Sequence, residues 1–184
     1  MQHSKVMEVS NDRWRKLCRF DEKIKLPKWQ KHGRNILVVA PSEKPCQYYG
    51  IDKDQWLADT IETLKHYTDR PIVVREKASR GERTNDTIYQ ALADDVFATV
   101  TYNSIAAVES VSVGIPAFAL APTAAAPVAS NDLSLIETPY YPDISFVHKW
   151  LFSIAYSQFS LDKIITGDAW RMVLENAERP TISY

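Results

Sequence analysis

In the segment "VFATVTYNSIAAVESVSVGIPAFAL", three side chains stand at a spacing that could do chemistry: Asn103, Ser104 and Glu109. The amide and the hydroxyl directly follow an apolar, β-branched run and open a stretch of helical length. Small polar side chains at such a junction can donate to an anion, and the unpaired N–H groups and partial positive charge of a helix start favour a phosphate there. Glu109, five residues beyond Ser104, falls more than one helical turn from that phosphate position. A carboxylate so placed can accept from hydroxyls attached to the phosphate, such as those of a ribose. The same residues have a plainer use, because Asn or Ser ahead of a helix caps it and a lone Glu on a short helix is usually solvated.

Other chemistries find less support. His3, His32, His66 and His148 fall in the N-terminal segment, inside a helical stretch or at a helix start, with no nucleophile-elbow sequence beside them. Asp94 and Asp95 adjoin at a turn, no His-x-x-x-His occurs, and Cys18 and Cys46 have no CxxC spacing. No metal site is expected, and the two cysteines read as reduced thiols. "GERTNDT" lacks the partner glycine and the Lys-Ser of a phosphate-binding Walker loop. Asp132 and Glu137 are candidate bases toward a sugar hydroxyl.

The elements that must position these residues show as a repeating pattern. Short runs rich in Val and Ile, at 36–40, 71–75, 96–100 and 115–120, alternate with more polar segments of helical length. Runs without clean alternation suit strands buried on both faces of a parallel sheet. Between them, "DKDQWLADTIETLKHY" predicts a helix with Asp52 as N-cap and Trp56, Leu57, Ile61, Leu64 and Tyr67 turned inward. "TNDTIYQALAD" predicts a second with Ile88, Ala91 and Leu92 inward, and "NSIAAVESVSVG" a third ending at Gly114. The order βαβαβαβ implies an α/β, Rossmann-like, doubly wound parallel sheet over 36–184, preceded by a basic and aromatic N-terminal arm over 1–35. A long Pro- and Ala-rich loop follows, with one helical turn at 132–136, and then C-terminal helices from "ISFVHKWLFSIAYSQFS" and "SLDKIITGDAWRMVLENA" that are expected to pack back across the sheet.

The order strand, Thr-x-Asn-Ser, four residues, Glu, four residues, Gly-x-Pro, strand resembles the "(T/S)-x-x-S-x-x-x-x-E-(A/S)-x-x-x-G-x-P" segment of the nucleotide-sugar-binding C-terminal half of GT-B glycosyltransferases. Within that group it is most similar to capsule-polysaccharide and Kdo-transferase-like enzymes. The resemblance implies phosphate contacts at Asn103 and Ser104 and a ribose contact at Glu109. "RPIVVREKASR" stands where such enzymes carry an "R-P-H-P"-like motif, and it keeps Arg75 while Glu76-Lys77 replaces Pro-His. Arg75, Lys77 and Arg80 are then the candidate cationic contacts. "ILVVAPSEKPCQYYG" stands where the first strand of that half opens into a loop facing the donor, which makes Ser42, Lys44 and Gln47 candidates. A complete GT-B enzyme has two such domains, and the resemblance spans 34–140, one half. The tail "WLFSIAYSQFSLDKIITGDAW" resembles half-size phage and prophage proteins.

Bulk properties set the partners. The chain has 184 residues, 45% hydrophobic, with net charge -1, enough for one domain and its core. It has none of the basic excess of proteins that bind nucleic-acid backbones. No run nears the ~20 apolar residues of a membrane span, and no signal-peptide core opens the chain, so the expectation is a cytoplasmic protein without a membrane span. The expected ligand is a nucleotide or nucleotide sugar, taken as a co-substrate rather than a resident cofactor. An acceptor site would come from a homodimer or a partner domain. The alternatives are a nucleotide-sequestering module without turnover, and an interaction protein that uses Trp14, Arg15, Lys16, Trp29 and Lys31 of the arm.

Overall fold

The computed structural model describes residues 6–20, 25–76, 87–177 and 181–182. Its centre is a four-stranded sheet of β2 (Asn35–Val39), β3 (Ile72–Arg75), β4 (Val96–Thr101) and β5 (Ala117–Ala119). The order across the sheet is β3-β2-β4-β5, and every pairing is parallel. All six residues of β4 are buried and four of the five in β2. That is why these runs are apolar throughout instead of alternating.

Helices cover both faces at the centre of the sheet, whereas the edge strand β3, expected to be buried on both faces, leaves Val73 and Val74 exposed. Ile36, Val38, Ala98, Val100 and Phe118 point to one side and pack against Leu64, Trp56 and Leu57 of α3 (Lys53–Tyr67). Leu37, Val39 and Val96 point to the other, toward Leu92 of α4 (Ile88–Leu92) and Ala106 of α5 (Ala106–Ser112). Asp52 caps α3 by accepting from the Gln55 N–H at 2.9 Å. Two inward residues differ from the pattern reading: Thr60 is buried, whereas Tyr67 is exposed. An α-helix also appears where a loop was expected, α2 (Glu43–Tyr49). Pro45 disguised it, but a proline in the first turn loses no intrahelical bond. Gly50, at φ 64°, ends it.

The Ala-rich loop is a structural element. Ser130 bridges alongside Phe118, with Ala119 N donating to Ser130 O and Ser130 N to Ala117 O, so the loop covers the outer edge of β5. Ala125 and Val128 are fully buried, and Trp150 Nε1 donates to Ala124 O at 2.8 Å. Trp150 belongs to α6 (Ile144–Tyr156), which packs on α5 through Phe146, Val147 and Leu151. The expected turn at 132–136 is a 3-10 turn at Leu133–Leu135, capped by Asp132.

The N-terminal segment lies on the domain. Val6 of β1 (Val6–Met7) is buried in the α5–α6 cluster, and Trp14 of α1 (Asp12–Phe20) and Trp29 pack against it. Trp29 Nε1 donates to Pro142 O at 2.8 Å, and its ring meets Tyr141 edge-on at 5.3 Å. His148 Nε2 lies 3.1 Å from Pro27 O, a structural tie. β1 also pairs antiparallel with β6 (Thr181–Ile182), which brings the two ends of the chain together. The C-terminal helices divide: α6 packs over the sheet as expected, but α7 (Leu161–Ile165) and α8 (Asp168–Ala177) pack chiefly on each other and leave large apolar side chains exposed.

Candidate functional site

The candidate site is the carboxyl edge of the sheet. The chain runs from β2 outward to β3, then crosses to β4 on the other side of β2. The crevice between the ends of β2 and β4 is therefore the point where the winding reverses, the position at which open parallel sheets bind ligands. In register, Val39 stands beside Arg75 on one side and Thr101 on the other. Segments leaving these three ends emerge side by side, about 5 Å from strand to strand. Ser42 and Lys44 follow β2, Arg75 closes β3, and Asn103 and Ser104 follow β4, so the structure brings these five predicted residues to one edge. Lys77 and Arg80 lie outside the described residues.

Local geometry changes how this edge could hold an anion. Ser104 Oγ accepts the Ala106 N–H at 3.1 Å, Ser104 O accepts the Ala107 N–H at 3.3 Å, and Ile105 O accepts the Glu109 N–H at 3.0 Å. Two amides at the helix start, those of Ala106 and Ala107, are thus already engaged, and the helix they open has only seven residues. Any grip on an anion rests more on side chains than on the helix start. Glu109 also shifts in meaning. Because α5 begins at Ala106 and not at Ser104, Glu109 sits in the first helical turn and not more than one turn along. A carboxylate there also complements the helix dipole.

Charge at the end of β3 is arranged in pairs. Lys53, at the start of α3, donates to Glu76 at 2.6 Å. That bond, with the carboxylate charge, raises the Lys53 pKa above its ordinary value. Ser42 is the N-cap residue of α2 and makes no side-chain cap bond, and Lys44 and Gln47 are exposed on the same helix.

The sequence did not reveal an aromatic train beside this edge. Tyr48 and Tyr49 meet edge-on at 4.9 Å, Tyr49 meets Tyr102 at 5.9 Å, and Tyr102 meets Trp56 at 6.2 Å. Tyr48 is 82% exposed. The consecutive tyrosines before Gly50 were visible in the sequence, but only the helical path of α2 carries them to Tyr102.

The remaining candidates lie elsewhere. Glu137 faces the opposite, amino edge, where it accepts from Arg70 Nε with both oxygens at 3.0 Å and from the Thr68 hydroxyl. Arg70 Nη1 donates to Gly33 O at 2.7 Å, and its guanidinium lies 3.6 Å from the Phe97 ring centroid. Glu137 is therefore a latch between the long loop and the sheet, not a base at the carboxyl edge. A shallow depression of about 510 Å3 opens beside this latch, lined among others by Arg34, Lys65, His66 and Arg70. Its Arg70 and Glu137 satisfy each other, so the switch-point edge is the better candidate. The carboxyl of Asp132 is held below the usual range by the Ser134 hydroxyl at 2.7 Å, as a cap. Cys18 and Cys46 are unbridged. Among the described residues no group of three or more His, Cys, Asp or Glu could hold a metal ion, and no helix is long and apolar enough to cross a membrane.

Compared with models of protein families, with curated proteins and with solved structures, the chain matches none.

Proposed function

We propose that this protein binds a nucleotide or nucleotide sugar at the carboxyl edge of its sheet, in the manner of the donor half of a GT-B glycosyltransferase. The observation that carries this reading is the registered row Arg75, Val39, Thr101, with the winding reversal between β2 and β4. It sets Ser42, Lys44, Asn103 and Ser104 around one crevice, beside a cation and an aromatic surface. In this reading Asn103, Ser42 and Arg75 hold the phosphates, with Arg75 suited to a two-point contact. Glu109 accepts from the ribose hydroxyls. The Ser104 hydroxyl, while accepting from Ala106, keeps its own proton to donate. In this reading the chain is the donor-binding half, and groups acting on an acceptor would come from a second chain or domain.

The test is a thermal-shift panel of UDP, CMP, GDP, ADP and dTDP, with and without their common sugars. A ligand at 100 times its Kd adds about 2.7 kcal/mol and raises the melting point visibly. The expected outcome is a shift selective for one base, abolished in Asn103→Ala and Glu109→Ala variants whose unliganded melting points stay near wild type. A flat panel on folded protein would sink the reading and leave Ser104 as a helix cap.

A further inference from the structure

The helical hairpin of α7 and α8 has the wrong surface for a helix pair facing water. Leu161, Ile164 and Ile165 of α7 are 70%, 58% and 73% exposed, and Trp170, Val173 and Leu174 of α8 are 67%, 47% and 51% exposed. Single exposed apolar side chains are ordinary, but six large ones between Leu161 and Leu174, on two short helices that pack on each other, are not. One tie to α1 reaches the hairpin, at Met172. Arg13 of α1 donates to Tyr156 O at 2.6 Å, to Gln158 O at 3.1 Å and to Met172 Sδ at 2.8 Å, and its guanidinium lies 4.5 Å from the Tyr156 ring centroid. Met172 thus marks the inner side of α8, and the helical spacing of Trp170, Val173 and Leu174 places a separate stripe on another side.

We infer that the α7–α8 hairpin is the contact face of a two-fold homodimer, each copy covering the other's patch. Size is the first argument. The six side chains together expose on the order of 700 Å2, near the ~800 Å2 per partner of a standard stable interface. Charge is the second. The hairpin carries Asp162, Asp168 and Glu175 against Lys163 and Arg171, and Arg171 Nη1 pairs with Asp168 at 3.2 Å. Such a mixed rim does not repel a copy of itself, and the net charge of -1 adds little repulsion between whole chains. An anionic lipid surface would call for a Lys- and Arg-rich polar face, which this hairpin lacks. A hairpin apposed to its own two-fold mate builds a four-helix layer in which each pair supplies the apolar cover the other needs.

Sedimentation velocity on the full chain across a dilution series tests this. The expected wild type is a closed dimer that dissociates on dilution. Ile165→Glu combined with Trp170→Glu should weaken dimerisation at least ~100-fold, as loss of two central apolar anchors does, without lowering the melting point of the monomer. Tyr89→Glu, which places a charge on an exposed aromatic of α4, should leave the dimer intact. A wild type that stays monomeric at 100 times the concentration of the assay's lower limit would overturn the inference, and so would a dimer that survives the double substitution or an open-ended series of larger species. A monomer that instead floats with vesicles of phosphatidylcholine and phosphatidylserine would assign the hairpin to a lipid surface and overturn it as well.

Discussion

Ser110 shows what one small polar side chain does beneath the candidate site. Its Oγ lies 2.8 Å from Thr99 Oγ1 and 3.2 Å from the Ile115 carbonyl, and both Ser110 and Thr99 are fully buried. This contact fixes α5 against β4, and therefore fixes Asn103 and Ser104, which lie between them. Ser110→Ala keeps the fold but removes one partner of a buried hydroxyl. It should cost about 1–2 kcal/mol in urea unfolding. An unchanged midpoint would show that Thr99 finds another partner. In the sequence, Ser110 reads only as a small residue following Glu109. Its hydroxyl has a partner eleven residues earlier, which no local spacing announces. Glu137 was legible in the opposite sense: its type suggested a base, and only its pairing with Arg70 made it a latch.

At the scale of elements, the end of α5 serves two purposes at once. Gly114, at φ 87°, closes the helix as the sequence predicted. It also lets the N-terminal segment cross: Gln30 N donates to Gly114 O at 2.7 Å and Gln30 Nε2 to Val113 O at 2.9 Å. A Cβ on Gly114 would collide with the carbonyl oxygen of Lys28. Gly50, at φ 64°, ends α2 with nothing within 4 Å of such a Cβ. Gly50→Ala should therefore cost about 1 kcal/mol, the left-handed penalty alone. Gly114→Ala should cost at least about 3 kcal/mol, since backbone must also move. Equal losses in thermal unfolding would mean that the crossing segment shifts freely. The left-handed glycine was readable from Gly114-Ile-Pro, while the strand of chain passing over it was not. Helix α2 was missed for a related reason, because seven residues with a proline carry too little periodicity to stand out.

At the scale of the molecule, the described part of the N-terminal segment, residues 6–20 and 25–33, covers the α5–α6 cluster. The sequence reads as a basic and aromatic arm over 1–35, yet Val6 is buried and Trp14 and Trp29 pack on the α5–α6 cluster. A chain beginning at Arg34 should lose at least about 4 kcal/mol, one buried aliphatic and two tryptophans at ~1.5–3 kcal/mol each. A truncated chain with the wild-type urea midpoint would show instead that the segment is an accessory. What the sequence determined by itself was the parallel sheet, its four strands within a residue or two, and the strand ends that Ser42 and Asn103 follow and Arg75 closes. Burial on both faces writes itself into composition, and turn and cap chemistry into single residues, so both are local signals. The strand order, the crevice between β2 and β4, the aromatic train from Tyr48 to Trp56, the seat of the N-terminal segment and the open face of α7 and α8 came only with the tertiary structure. Each is a contact, or a missing contact, between residues far apart in the chain, and the energy that selects it depends on which surfaces meet rather than on any pattern along one of them.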